Sequence, residues 1–408
     1  MEGLFKLTSL EEAREIIELN WQIRPATVYI PILEALGRVL AEDIWATTDV
    51  PGFARSSVDG FAVRSASTFG ATEALPAYIR LVGEIFMGKA ATIEVGQGEA
   101  VAIPTGGMLP GQADAVVMIE YTEELGREEI AVTRPVSPGE NIIKAGEDIG
   151  AGMAIYRQGR RLRPQDLGML ASQGIAQVKV YNPYRVGIIS TGNEIVGLDQ
   201  EPAGGQVRDI NSYTLYGLVQ RSGAQPVLYG IVPDVFETMQ QIVKRALSEN
   251  DLVLLSGGSS VGTKDFTVRV FNSLGEPGIL LHGIPVKPGK PTVVAAAGGK
   301  LLFGLPGHPV SATVVYDILI HPLLYTNSYA DNLEIGLQAK LARNLASAAG
   351  REDHVKVRLT EREGQLWAEP VLGKSGLLKT LVEAQGEIII PESREGLGYG
   401  ETVKVKLI

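Results

Sequence analysis

The sequence predicts a multidomain chain of α/β plus β class. A doubly wound α/β domain follows a β-rich domain, and a small β barrel or sandwich closes the chain. Three observations predict this. From about residue 183, apolar strand-like runs alternate with helical runs, the pattern of a parallel sheet wound on both faces. Between about 75 and 135 the chain is rich in Gly, Val and Ile in short alternating stretches. Beyond about residue 327 the helical pattern stops and alternating runs remain. The 408 residues suit two to four domains, and 45% hydrophobic with 21% charged residues describes a chain with ample core material.

Each element has a local reason. Ser9 and Glu12 have capping-box spacing, and Leu10, Ala13, Ile16 and Ile17 follow a helical period, so a helix is expected over about 9–20. Pro31 to Leu36, closed by Gly37, reads as a short second helix. The character changes after Asp49, and a β-rich domain is expected over 49–140. The glycine-rich, acidic stretch from Gly139 to Gly152 returns the chain to a unit with residues 160–180, where Arg163-Pro164-Gln165-Asp166 opens a helix. The predicted division is therefore 1–48 with 141–182 as a linking domain, 49–140, 183–326 and 327–408. In the α/β part, strands are expected at Val186–Ser190, Val227–Ile231, Leu252–Leu255 and Leu301–Leu305. Helices are expected at Asn211–Arg221, Val235–Leu247, Phe266–Leu274 and Val310–Leu324. In the tail, His354–Leu359, Glu387–Ile390 and Thr402–Leu407 alternate like strands.

Composition removes whole classes of function. A net charge of -10 argues against a broad nucleic-acid surface. With no cysteine there is no disulfide, thiol nucleophile or thiolate metal site, and four scattered histidines make a multi-histidine centre an unpromising reading. The first twenty residues are charged and lack an apolar signal core, and no run reaches the roughly 18 apolar residues of a membrane helix. A cytoplasmic protein without membrane or nucleic-acid partners is the expectation.

In a doubly wound sheet, ligands bind beyond the carboxyl ends of the strands. Three glycine-rich polar turns fall there: Ser190-Thr191-Gly192-Asn193-Glu194, Ser256-Gly257-Gly258-Ser259-Ser260-Val261-Gly262, and Gly304-Leu305-Pro306-Gly307-His308-Pro309. Any one of them is an ordinary strand-to-helix turn. Three on one rim point to a phosphate-bearing ligand, because glycine lets backbone N–H groups approach an anion and hydroxyls add donors. Pro285-Val286-Lys287-Pro288-Gly289-Lys290-Pro291 holds two lysines on a proline-stiffened loop, suited to phosphate or another oxyanion, where the bland reading is two solvated lysines. Glu194, Asp234 and Asp265 are the nearby carboxylates, hard ligands of the kind Mg²⁺ takes. Asp234, with Glu237 three residues on, also reads as a helix N-cap, and Asp265 has the same competing role. In the first half, residues 49–62, 104–110 and 146–149 form polar Gly/Pro segments containing Asp59, Thr105 and Asp148; read alone, Asp59-Gly60 and Asp148 are turn residues.

Together these segments resemble the molybdopterin molybdenumtransferase (MoeA) family, which includes the C-terminal domain of gephyrin. The resemblance rests on DVPGFARSSVDGFA, TGGMLPGQADAVV, GEDI, STGNEI, SGGSSVGTKD, KPGKP and GLPGHPVSA, which run in family order from residue 49 to 312. It implies an elongated four-domain subunit whose α/β domain binds molybdopterin. It also implies a homodimer with the cleft between subunits. The implied reaction takes adenylylated molybdopterin and molybdate, releases AMP, and uses Mg²⁺ or a similar divalent ion. A molybdopterin adenylyltransferase and cofactor-accepting apoenzymes are the implied neighbours in that chemistry.

By position, the resemblance assigns Asp59, Asp148, Glu194, Asp234, Lys287 and Lys290 to catalysis, and Asp265 with Glu194 to the metal. Thr105 and the residues of the three turns (Ser190, Thr191, Gly192; Ser256, Gly257, Gly258, Ser260, Gly262; Pro306, Gly307, Pro309, Ser311) would contact substrate. So would Gly289, with Arg351 and Ser375 in the tail joining Pro306 at molybdate. The chain departs from the family pattern at Phe61, where Tyr is usual, at His308, where Asn is usual, at Ser259, and at Ile142-Ile143-Lys144-Ala145. These departures leave two alternatives: a paralogue that prefers tungstate, and a non-catalytic pterin-binding carrier or scaffold. Competence-damage-type nucleotide pyrophosphatases carry a similar α/β unit but lack the first-half motifs.

Overall fold

The computed structural model describes residues 7–257, 264–325 and 336–408, and for Lys264 and Asp265 the backbone alone. The chain forms two compact units. One comprises Met1–Val28, Gly37–Val39 and Val180–Ile408; the other comprises Tyr29–Leu36 and Leu40–Lys179.

The first unit is built on a six-stranded sheet. Its order is Gln225–Val232, Arg185–Thr191, Leu252–Gly257, Lys300–Leu305, Val293–Ala297, Pro277–His282. Strand side chains alternate between faces, and both faces are covered. Val186, Ile188, Leu252, Leu254, Leu301 and Phe303 pack with Leu215, Leu218 and Val219 of the Asn211–Arg221 helix. Ile189, Val253, Leu255 and Leu302 pack on the other side with Met239, Val243, Val270 and Phe271. Burial on two faces is why these strands read as continuous apolar runs.

The sheet is mixed, which corrects the expectation of a purely parallel one. Pro277–His282 and Val293–Ala297 run antiparallel to their neighbours. The connection from His282 to Val293 is the proline-rich lysine loop, too short for the helical crossover that a parallel pairing requires. Gly298 and Gly299, both at positive φ (59° and 76°), then turn Val293–Ala297 tightly into Lys300–Leu305. The helix expected over Val310–Leu324 is divided: an α-helix Pro309–Val315, a π turn Tyr316–Ile320, and a helical turn His321–Tyr325. The buried Tyr316 hydroxyl sits at that break, bonded to Ser222 Oγ (2.6 Å) and donating to the Leu218 carbonyl (3.0 Å). The N-terminal helix is Leu10–Asn20. Ser9 Oγ accepts from the Glu12 N–H at 3.2 Å, and the buried Ala13 and Ile17 pack into the same core as Trp21 and Tyr184.

The tail forms a closed five-stranded barrel. Glu352–Arg362 pairs with Gln365–Pro370, which pairs with Gly336–Leu341, then Thr402–Leu407, then Gly386–Ile390, which returns to Glu352–Arg362. Its core holds Leu341, Val357, Ala368, Ile388, Val403 and Val405. Closure leaves no free edge.

The second unit contains a curled sheet in the order Ala115–Met118, Gly60–Val63, Glu99–Ile103, Ala77–Glu84, Glu129–Val132, Thr122–Glu124. Phe61, at the family's tyrosine position, is 2% exposed and packs with Val63, Ile79, Val117 and Ile130. In this chain it is a core residue, so the missing hydroxyl is replaced by packing. The Pro164–Ser172 helix begins as expected, with the Asp166 carboxylate accepting from the Arg163 N–H at 2.9 Å and from Arg160 at 2.8 and 3.1 Å. The short helix expected over 31–36 is one 3₁₀ turn, Ile32–Glu34. Six residues cannot offset the cost of nucleating an α-helix, and the tighter i,i+3 turn forms instead.

One buried charge cluster bears on stability. On the barrel, Lys356 Nζ donates to Glu387 Oε1 at 2.9 Å, and His354 Nε2 lies 2.8 Å from Glu352 Oε1. His354 Nδ1 is 3.2 Å from Glu387 Oε2, an ion-pair distance but off the hydrogen-bond line. Burial alone would lower the His354 pKa; the facing Glu352 and Glu387 carboxylates outweigh it and push it from 6.5 up to about 9. A raised folded-state pKa gives stability that is complete below pH 6.5 and is lost as pH rises through about 9. The stability difference between the protein and its His354→Gln variant is therefore expected to shrink from pH 6.5 to 9. Thermal unfolding of both proteins across that range measures it, and a constant difference would refute the assignment.

Candidate active site

Two cavities of the first unit divide between them the described residues singled out from the second half of the sequence, while Asp59, Thr105 and Asp148 line neither. The first, about 670 Å³, is lined by Ser190, Thr191, Gly192, Glu194, Asp234, Ser256, Gly257, Gly307 and Pro309, together with Arg208, Asp209, Asn211 and His308. It sits beyond the carboxyl ends of Arg185–Thr191, Leu252–Gly257 and Lys300–Leu305. Parallel register aligns those ends: Thr191 stands opposite Gly257, and Ser256 opposite Leu305. Gly257, at φ 116°, passes so close to the Thr191 carbonyl that any Cβ would overlap it. Gly192, at φ 147°, has the Glu194 carboxylate 2.8 Å from where a Cβ would stand.

Sequence reasoning missed two residues that hold this cavity together. The buried Asp209 carboxylate accepts from Ser190 Oγ (2.9 Å) and from the Ser212 N–H (3.1 Å). Asn211 Nδ2 donates to Ser256 Oγ (2.7 Å) and to the Gly307 carbonyl (2.8 Å), joining the second and third turns. The available signal was an Asp just before the predicted Asn211 helix, a capping position whose oxygen reaches a first-turn N–H. Asp234 is not the N-cap that its spacing suggests. Val235 holds that position without a side-chain bond, and Asp234 Oδ1 instead accepts from Thr191 Oγ1 at 2.6 Å. Its carboxylate is turned to the cavity because the first turn's hydroxyl holds it there. Gly258, Ser260, Gly262 and the side chain of Asp265 lie outside the described residues.

The second cavity, about 630 Å³, is lined by the loop from Pro285 to Pro291, by Pro306, His308 and Ser311, and by residues 348–351 and Ser375 of the tail. Lys287, Gly289, Lys290, Pro306, Ser311, Arg351 and Ser375 thus meet, although they come from four separate stretches of sequence. The two lysines line this cavity and not the first. Three cations face it, and no carboxylate is among its described lining residues. His308 lines both cavities, and its Nδ1 is 2.7 Å from Ser375 Oγ.

Asp59 and Thr105 belong to the second unit. Asp59 Oδ1 accepts from the Thr105 N–H (2.7 Å) and Oγ1 (2.9 Å), and these bonds hold its pKa below the ordinary carboxylate value. Gly60 is needed beside it, since a Cβ would overlap the Val117 carbonyl. The Gly106 N–H donates to the Ser56 carbonyl at 2.8 Å, and the Gly146 and Asp148 N–H groups donate to Pro51 (2.9 Å) and Val50 (3.1 Å). The three first-half motifs are therefore knitted side by side, with Asp59, Thr105 and Asp148 all exposed.

No three acidic or histidine side chains among the described residues converge as a preformed metal cage. No helix among them is long and apolar enough to cross a membrane.

The chain thus combines, in order, a curled-sheet unit, a mixed α/β domain and a closed barrel. Family models match in succession: "MoeA N-terminal region (domain I and II)" over residues 8–174, "Probable molybdopterin binding domain" over 187–326, and "MoeA C-terminal region (domain IV)" over 338–408. The molybdopterin molybdenumtransferase of Bacillus subtilis (strain 168) is 34% identical over 394 residues, covering 95% of this chain and 91% of its own length. That of Staphylococcus aureus (strain N315) is 30% identical over 393 residues, covering 95% and 93%. The crystal structure of the molybdopterin biosynthesis moeA protein from Pyrococcus horikoshii OT3 matches with a TM-score of 0.86 at 34% identity, covering 99% of this chain and 100% of that one. The chain belongs to the MoeA family.

Gly257→Ala is expected to destabilise the protein by on the order of 1–3 kcal/mol, because it forces a side chain into a positive-φ residue against a carbonyl. A fall in thermal midpoint checks it; an unchanged midpoint contradicts it.

Proposed function

We propose that this chain is a molybdopterin molybdenumtransferase that inserts molybdate into adenylylated molybdopterin and releases AMP. The observation that carries the reading is the pair of cavities sharing His308. One is lined by hydroxyl- and glycine-rich turns with carboxylates beside them, suited to a phosphoanhydride. The other is lined by Lys287, Lys290 and Arg351, suited to a tetrahedral oxyanion. The dithiolene of the pterin supplies sulfur to the metal, so a protein without cysteine can perform the step. The curated relatives bear the same activity in their names over nearly the whole chain.

In this reading the Ser256 hydroxyl and the backbone of the glycine turns hold the pyrophosphate, while the Ser190 and Thr191 hydroxyls, whose protons go to Asp209 and Asp234, fix those carboxylates beside it. Thr191 fixes one oxygen of Asp234, leaving the other to orient or deprotonate an attacking water; molybdate, a dianion without a proton, would attack as nucleophile with no base. Glu194 and Asp234 suit Mg²⁺, which keeps several waters and takes one or two carboxylates besides phosphate oxygens. Asp265 would complete the set, and the ion would offset charge building on phosphate. Pro306, Arg351 and Ser375 hold the oxyanion in the second cavity, where Lys287 and Lys290 balance its charge. The exposed Asp59, Thr105 and Asp148 complete the cleft from the partner subunit of a cytoplasmic homodimer. The four-part division at residues 49, 141, 183 and 327 belongs to the same proposal, as do the upstream adenylyltransferase and the downstream apoenzymes.

Purified protein with adenylylated molybdopterin, Mg²⁺ and molybdate, run in parallel with tungstate, is expected to release AMP in an oxyanion-dependent manner. Asp234→Asn should lower kcat by roughly 10²–10⁴-fold. Asp265→Ala, Lys290→Ala and chelation by EDTA should abolish release, with Mg²⁺ restoring it after chelation. Tight binding of the adenylylated pterin without AMP release, whichever oxyanion is supplied, would leave a carrier and sink the transferase reading.

A further inference from the structure

Behind the cation-lined cavity lies a carboxylate outside both the sequence motifs and the cavity wall. Asp353 is 4% exposed. Its Oδ1 accepts from Arg351 Nε at 2.8 Å, and its Oδ2 accepts from Arg351 Nη2 at 3.4 Å and from Lys287 Nζ at 3.3 Å. The backbone places it there: Lys287 pairs in register with Asp353 where Val286–Lys287 joins the barrel strand, and the Glu352 N–H donates to the Pro285 carbonyl at 2.8 Å. One buried carboxylate therefore grips both a lysine of the proline loop and the arginine of the barrel.

We propose that Asp353 is a positioning residue for the oxyanion, an inference that rests on the reading of the second cavity as the molybdate site. Arginine carries five N–H donors in a rigid plane. Asp353 engages the Nε edge and one Nη2 hydrogen, which fixes the plane and leaves the remaining Nη donors for the cavity. Lys287 keeps two of its three donors. Unheld, both side chains are long and flexible, and binding would have to freeze them. Asp353 also sets the charge. Lys287, Lys290 and Arg351 bring three positive charges to the cavity, and the carboxylate behind them offsets one. The remaining two match a dianionic tetrahedral oxyanion such as molybdate or tungstate.

The test compares Asp353→Asn, which keeps shape and one acceptor, with Arg351→Ala and with the double variant. Molybdate affinity is measured directly by calorimetry, and KM for molybdate and for the adenylylated pterin by AMP release. Asp353→Asn is expected to raise the molybdate Kd and KM at least tenfold. KM for the adenylylated pterin should stay within twofold, which also certifies folding. In the double variant the Asn change should cost clearly less than it costs alone, because part of the carboxylate's effect passes through the guanidinium and the rest through Lys287. Unchanged or tighter molybdate binding in Asp353→Asn would overturn the inference, since charge removal would then outweigh positioning. So would full additivity in the double variant. Asp353-dependent molybdate binding without AMP release from the unaltered protein would support this inference while refuting the transferase reading. Turnover indifferent to Asp353 would do the reverse.

Discussion

The parallel ladder of Arg185–Thr191, Leu252–Gly257 and Lys300–Leu305 is the constraint from which the rest of the site follows. Parallel strands in register end on the same edge, so the turns leaving them must open on one rim. The ladder can run to its last rung only because residue 257 is glycine: with any side chain there the second turn would be pushed from the Thr191 carbonyl. Asn211 then bonds the second turn to the third, and Asp209 bonds the first to the Asn211–Arg221 helix. The cavity is thus held by backbone register and by side chains that also line it.

How much of this could be read from the sequence depended on the range of the physics involved. Local signals worked. The Ser9–Glu12 capping box placed its helix to within a residue, and Asn211–Arg221 was legible from period alone. Motif turns placed at strand ends led to both cavities. What escaped depended on pairing across long stretches of chain. The two antiparallel strands were hidden because Pro277–His282 and Val293–Ala297 have no helix between them, although Gly298-Gly299 was a hairpin signal. The competing reading of Asp234 as a cap could not be dismissed from the sequence, because spacing cannot show that a hydroxyl 43 residues away will claim its carboxylate. Asp353 was not singled out, since its bond to Lys287 is defined by the docking of the proline loop onto the barrel.

Lys287, Lys290 and Arg351 line a different cavity from Glu194 and Asp234, and that separation is itself a physical device. Opposite charges within about 4 Å attract by several kcal/mol at the dielectric of a protein surface. Lysines free to swing into the first cavity would pair with its carboxylates, and both sets would lose their hold on external ligands. The prolines at 285, 288 and 291 limit the reach of the loop, and Asp353 holds Lys287 and Arg351 from behind. Lys287 and Arg351 are thereby partnered with one buried carboxylate of their own, which keeps them from those that line the first cavity. His308, tied to Ser375, stands where the two sets come nearest. The proposed reaction brings a pterin phosphate and a separate oxyanion together, and two cavities of different electrostatic character beside each other suit it.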